Sequence, residues 1–191
     1  MRKKFKIYLF RHGQTTFNRD GRFTGFKDAK LTVEGREHAE KIAKELKGKK
    51  FEVAIHTSLS RSKDSLKIVL KSHPECKIIL EDDRMIERSY GELEGKYHYE
   101  IVDKFGVEQY ELWHRGFDCR PPEGESFADV EKRVGKFVKD LKKFMRKNKV
   151  NVAISAHGNS IRLFRKIMER ASKDEAVKWV IPYDKVFEYL V

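Results

Sequence analysis

Short apolar runs alternate with longer amphipathic stretches along this chain, and that alternation leaves few folds open to it. Apolar runs occupy residues 5–10 (FKIYLF), 51–57 (FEVAIHT), 77–80 (KIIL), 150–156 (VNVAISA) and 186–191 (VFEYLV). Their lengths suit strands, and apolar residues between them recur with helical spacing. Thr32 is placed to cap a helix running to about Lys47, with Ala39, Ile42, Ala43 and Leu46 on its inner face and Gly48 as its stop. Leu66, Val69 and Leu70 mark a second helix. From Asp129 to Lys147, Val130, Val134, Phe137, Val138, Leu141, Phe144 and Met145 hold the helical period, and Ile161, Phe164, Ile167 and Met168 share one face of a last helix. Strands alternating with such helices predict an α/β fold, three-layer α/β/α, with a mostly parallel central sheet. The segment from about 81 to 128 breaks the rhythm and reads as two short helices plus turns, an insertion that walls a site rather than building the sheet.

The 191 residues suit one domain over 1–191, and 39% hydrophobic with 12% aromatic residues exclude a disordered polyelectrolyte. The formal charge of +12 points to anionic partners. Its densest runs, Lys47–Lys50 and Lys142–Lys149, fall at the ends of helical patterns, where cations suit the helix dipole, so a small phosphorylated metabolite is expected rather than nucleic acid. No apolar run approaches the length of a membrane span, and Ile7–Phe10 is too short for a secretory signal, which predicts no membrane partner and a cytoplasmic location. Cys76 and Cys119 have no Cys-x-x-Cys partner and read as ordinary thiols. Nothing in the sequence bears on oligomeric state.

In open α/β sheets ligands bind beyond the carboxyl ends of the strands, so the residues that follow each run carry the functional reading. They are Arg11-His12-Gly13; Thr57, Ser58 and Arg61; Arg84, Glu87 and Arg88; and His157-Gly158-Asn159-Ser160. Two histidines, several arginines and a carboxylate on one edge suit phosphoryl transfer without a metal. Arginines clamp phosphoryl oxygens, a neutral imidazole attacks phosphorus, and a carboxyl group moves the proton of the ester oxygen. Arg11 beside His12 disfavours the imidazolium, and the helix that begins after His157 offers free backbone N–H groups to an anion. The plainer readings are turns at Gly13, Gly25 and Gly158, helix capping by Thr57 and Ser58, and packing by Tyr90, Tyr97, Tyr99, Tyr110, Trp113 and Phe117. GELEGKY (91–97) has the wrong glycine spacing for a nucleotide loop, and there is no dinucleotide motif and no defensible metal-ligand spacing.

The residues that carry the chemistry also carry a resemblance. LFRHGQTTFNRDGRFTGFKDAKLTVEG, TSLSRS (57–62), ERSYGELEG (87–95), KFGVEQYELWHRGFD (104–118), PPEGES (121–126) and SAHGNSIR (155–162) span most of the chain. Together they resemble the histidine phosphatase superfamily, and within it the phosphoglycerate mutases that depend on 2,3-bisphosphoglycerate. The resemblance implies that His12 becomes phosphohistidine, that Glu87 is the general acid and base, and that His157, Arg11 and Arg61 stabilise the transferring group. It places Thr15, Asn18, Thr24, Gly25, Arg88, Tyr90, Arg115 and Asn159 around the substrate. It also implies 2,3-bisphosphoglycerate as phosphoryl primer and interconversion of 3- and 2-phosphoglycerate.

Two positions depart from the mutase pattern. A pocket lysine aligns with His98, and the first arginine of a WRR triplet aligns with His114, so two fixed charges become titratable or neutral, with Lys96 as a possible substitute. A long insertion of many members is missing, and the sequence ends at Val191 where the mutases continue into a tail that helps close the site. A site that admits water to phosphohistidine is a phosphatase, so hydrolysis of small phosphomonoesters is the alternative outcome. A non-enzymatic module that binds phosphorylated partners or nucleic acid through the basic surface is the remaining one.

Overall fold

A computed structural model describes residues 4–191. Residues 1–3, part of the stretch read against a secretory signal, lie outside the described residues. The apolar runs form β1 (Lys6–Arg11), β2 (Val53–His56), β3 (Ile78–Glu81), β4 (Val152–Ala156) and β5 (Val186–Leu190). They make one sheet in the order β3-β2-β4-β1-β5. β1, β4, β2 and β3 pair in parallel, and β5 runs antiparallel along β1.

Side-chain alternation along the strands sorts the core into two layers. Ile7, Leu9, Val53, Ile55, Val152 and Ile154 face α5 (Phe127–Asn148) and α6 (Gly158–Glu169). Tyr8, Phe10, Ala54 and Ala153 face α2 (Val33–Leu46) and α3 (Ser60–Leu70). The central strands are therefore apolar along most of their length, because both faces are covered. β3 differs: it is one of the two edge strands, and Ile78, Ile79 and Leu80 are 39–53% exposed.

Capping fixes the helix starts. Thr32 accepts from Gly35 N–H at 2.9 Å, and Ser126 and Asp129 form a reciprocal capping box at the start of α5. Two short helices were not legible as patterns: α1 (Thr16–Arg19), capped by Thr15, and α7 (Lys173–Lys178), capped by Ser172.

The segment 81–128 holds the two short helices and turns expected of it, the helices joined end to end. Two single 3-10 turns, Asp83–Met85 and Gly91–Leu93, precede them, and the joined pair is α4 (His98–Arg115), broken at Gly106. Gly106 has φ of 81°, a conformation that glycine adopts without a steric penalty, and this single residue turns one helix into two angled pieces. Among the described residues, no helix is long and apolar enough to cross a membrane.

Candidate active site

The register of the central strands sets the site. Arg11 on β1 stands opposite Ala156 on β4, so His12 and His157 emerge side by side from the same edge. The His12 N–H continues the ladder to the Ala156 carbonyl at 3.0 Å, and the two imidazole centroids lie 4.9 Å apart. Behind His12 the loop runs against the first turn of α2. A Cβ on Gly13 would stand 1.8 Å from the Gly35 carbonyl oxygen, so glycine is required there by the close approach of two backbones.

His12 is 2% exposed, and its Nδ1 lies 2.7 Å from the Gly13 carbonyl oxygen. A carbonyl can only accept, so that contact places the proton on Nδ1 and leaves the lone pair on Nε2. Burial first, then the charges of Arg61 and Arg11, hold the His12 imidazole well below its ordinary value of 6.5. The ring is neutral with a fixed tautomer, the state needed for attack on phosphorus. His157 is fully buried and is lowered by the same causes, burial first and then Arg61 and its neighbours. Its Nε2 pairs with the Thr57 hydroxyl at 2.8 Å, while its Nδ1 has no protein partner.

Arg61, carried on α3, is wholly buried. It donates to the carbonyls of Lys27 at 2.9 Å and Gly25 at 2.7 Å, and its Nε is left without a partner. Burial lowers its pKa to about 10, so it remains a cation at neutral pH. Arg11 donates Nη1 to the Ile181 carbonyl at 3.0 Å, and its Nε is likewise unpartnered. Glu87 lies at the end of the loop after β3. Its Oε1 accepts from the backbone N–H groups of Arg88 at 2.9 Å and Asn159 at 3.0 Å, while Oε2 has no protein donor. The Asn159 N–H in the first turn of α6 is thus taken by Glu87 rather than left for an anion. A Cβ added to Gly158 would lie 3.6 Å from each of Arg11 Cζ, Arg162 Nη1 and Glu87 Oε2, so these three charged groups converge on one glycine.

The cleft they border measures about 250 Å³. Of the residues expected there, Arg11, Asn18, Thr24, Gly25, Glu87, Tyr90, Arg115 and Asn159 line it. His12, Arg61 and His157 do not line it and are buried beneath the strand ends, and neither Thr15 nor Arg88 lines it. Thr15 is buried, and its hydroxyl bonds to Asn18, which it orients. Arg88 is buried with its guanidinium 4.4 Å from both the Tyr90 and Phe127 rings, and it donates to the carbonyls of Trp113 and His114. It supports the wall from behind.

Other candidates leave the site. Arg84 pairs with Asp82 and Asp140. The Ser58 N–H donates to Asp83. Neither Thr57 nor Ser58 caps α3, which starts after Leu59 with Ser60 bonded to Asp28. Lys96 is exposed and does not line the cleft, so it replaces neither missing cation.

His98 and His114 do line the cleft, beside Phe23. Burial first and Arg115 second lower both imidazoles, His114 to about 2, so both are neutral rather than charged at neutral pH. His98 Nδ1 lies 3.0 Å from the Tyr110 hydroxyl.

Thr57, singled out at the end of β2, holds His157. Sequence reasoning missed three residues. Arg162 lines the cleft, donates to Asn159 Oδ1 at 2.8 Å, and is lowered by burial to about 10. Arg22 lines the cleft and rests 3.9 Å over the Tyr97 ring. Arg133, on α5, donates to the carbonyls of Arg84, Ile86 and Glu87 and pairs with Glu125, fixing the loop that carries Glu87. Only Arg162 left a sequence signal, as a charge inside the apolar stretch IRLF.

The arrangement can therefore bind a phosphorylated anion among several arginines and one carboxylate, with a neutral imidazole poised beside it. Among the described residues, no group of three or more histidine, cysteine or acidic side chains could hold a metal ion. Comparison with known proteins agrees with this chemistry. The 2,3-bisphosphoglycerate-dependent phosphoglycerate mutase 2 of Gloeobacter violaceus is 34% identical over 179 residues, covering 93% of this chain and 81% of that protein. The phosphoglycerate mutase from Bacillus anthracis superposes with a TM-score of 0.80 at 20% identity, covering 100% of this chain and 89% of that one. A mycobacterial glucosyl-3-phosphoglycerate phosphatase superposes with a TM-score of 0.79 at 20% identity, covering 98% and 97%. At those identities the two structures establish the shared fold alone. Residues 7–187, from β1 through β5 and including both histidines and Glu87, match the Histidine phosphatase superfamily (branch 1), and the chain belongs to that superfamily.

Proposed function

We propose that this chain is a 2,3-bisphosphoglycerate-dependent phosphoglycerate mutase that works through phosphohistidine at His12. The observation that carries the reading is the neutral His12 ring, its proton held on Nδ1 by Gly13 and its Nε2 free beside Arg11, Arg61 and His157. The mutase relatives support the choice of substrate.

In the proposed reaction His12 Nε2 attacks phosphorus of a bound phosphoglycerate ester. The N–P bond forms as the P–O bond breaks, and Glu87 Oε2 gives its proton to the departing oxygen. In reverse, the Glu87 carboxylate takes the proton of an attacking hydroxyl while the phosphoryl group leaves His12. Arg11, Arg61 and His157 stabilise the charge that spreads over the transferring oxygens. Asn18, Thr24, Gly25, Tyr90, Arg115 and Asn159 orient the rest of the substrate. The unpartnered Nε groups of Arg11 and Arg61 and the single carboxylate suit an anion as highly charged as 2,3-bisphosphoglycerate, which supplies the first phosphoryl group. In this reading residues 1–191 act as one cytoplasmic domain on small phosphorylated metabolites, with residues 81–128 as the wall.

One observation favours a second reading. His98 and His114 are neutral where the resembled mutases carry cations, which weakens the grip on a bisphosphate during its reorientation. If it escapes, or if water reaches phosphohistidine, the outcome is hydrolysis. Phosphorus NMR of the protein with 3-phosphoglycerate, with and without a trace of 2,3-bisphosphoglycerate, separates the two. Primer-dependent growth of 2-phosphoglycerate supports the mutase. Growth of inorganic phosphate instead replaces it with a phosphatase. A His12→Ala protein that retains any phosphoryl transfer refutes both.

A further inference from the structure

Arg11 is held by a residue far from it in sequence. Its guanidinium carbon lies 4.1 Å from the centre of the Tyr183 ring, and its Nη1 donates to the Ile181 carbonyl at 3.0 Å. Tyr183 also stacks on His38 of α2, with centroids 5.0 Å apart and planes 13° from parallel. His38 in turn lies 3.7 Å from Glu34. The segment between α7 and β5, whose Val180 and Ile181 line the cleft, thus holds two of its arginines, since the Trp179 carbonyl accepts from Arg162 Nε at 2.9 Å. Tyr183 does not line the cleft.

An arginine side chain free to rotate loses much of its value as a clamp, because its conformational entropy must be given up in the transition state. A flat ring against the guanidinium and one carbonyl on Nη1 remove that freedom beforehand and leave Nε unpartnered. The ring contact is attractive in its own right, more so where water is excluded.

We propose that Tyr183, stacked between Arg11 and the α2 residue His38, is a positioning residue that sets the Arg11 guanidinium for the transferring phosphoryl group. The proposal rests on the phosphohistidine reading for its effect on turnover, but not for its effect on anion binding.

The test compares Tyr183→Leu with Tyr183→Phe, which keeps the ring. Tyr183→Leu is expected to lower kcat by about tenfold with KM changed less than threefold, and to weaken orthovanadate, a mimic of the five-coordinate phosphoryl group, by a similar factor. Tyr183→Phe is expected to stay within twofold of the unaltered protein on both measures. In an Arg11→Ala background the Tyr183→Leu effect should vanish. Leucine and phenylalanine variants that behave alike, or effects that simply add to Arg11→Ala, overturn the proposal. Should Tyr183→Leu fail to fold, His38→Ala loosens the same ring from the α2 side. A several-fold loss of orthovanadate affinity in it supports the stack, and none overturns it. If the unaltered protein forms no phosphohistidine, the parent reading fails, while orthovanadate binding still decides the role of Tyr183.

Discussion

Acid should unfold this protein earlier than its carboxylates alone would dictate, and the size of the effect follows from the buried histidines. His12, His157 and His114 are held far below their ordinary value of 6.5, chiefly by burial. The unfolded chain binds these protons near pH 6.5 and the native chain does not, so the stability they contribute is complete above that pH. It is lost as pH falls toward the native values. Between pH 7 and pH 5 each such imidazole removes about 2 kcal/mol, and the three together about 6 kcal/mol. His98 is lowered as well and acts in the same direction. Domains commonly have only about 5–15 kcal/mol in total, so pH 5 should bring this one close to its unfolding threshold. The depressed carboxylates, such as Asp129 held down by Arg120, lose their contribution only below about pH 4 and stay out of this window. Urea unfolding at pH 7, 6 and 5, followed by circular dichroism, gives the slope directly. The His114→Gln variant should reduce that slope by about a third. A stability change under about 2 kcal/mol across the whole range would show that the imidazoles take up protons in the folded state, and would refute their assignment as buried neutral groups.

Other expectations address single contacts. Glu87→Gln keeps an oxygen for the Arg88 and Asn159 N–H groups but cannot move a proton. Turnover of alkyl phosphates should fall by about 10²–10⁴, while an aryl phosphate whose leaving group needs no proton should still phosphorylate His12 in a single-turnover assay. Gly13→Ala drives a methyl group into the Gly35 carbonyl, with no flexible side chain to yield. A loss of about 3 kcal/mol or more, seen as a fall of roughly 10 °C in Tm, is expected, and an unchanged Tm would disprove that close packing. Arg133→Met strips the Glu87 loop of three backbone bonds and leaves Glu125 unpaired. It should destabilise the fold by about 3–5 kcal/mol, as measured by chemical denaturation, and lower kcat although Arg133 lines no part of the cleft.

The layered α/β architecture was legible because the strands of the centre are buried on both faces and read as continuous apolar runs, while the helices bury one face and read with the helical period. β3 shows the limit of that signal: Lys77–Leu80 is as apolar as a central strand, yet it lies at the exposed edge, because pairing order is not written in any single run. The insertion shows another. Gly106 alone decides whether α4 is one helix or two, and the Tyr90–Leu93 turn follows from contacts with Pro122 and Glu94 that lie outside its own pattern.

For the site, local patterns already locate the strand ends, and the polar residues that follow them stand out because they have few structural duties there. His12, His157, Arg61 and Glu87 became candidates in that way. How those residues are held and charged depends on contacts that form across the folded chain. The Gly13 carbonyl chose the His12 tautomer, burial made His98 and His114 neutral, and Thr15 and Arg88 were drawn behind the wall. Thr57, Arg133 and Tyr183 entered as supports from positions scattered over the chain. The physical reason is that periodicity and capping act over a few residues, whereas desolvation, guanidinium stacking and hydrogen-bond geometry depend on which segments meet across the sheet, and that meeting exists only in the folded chain.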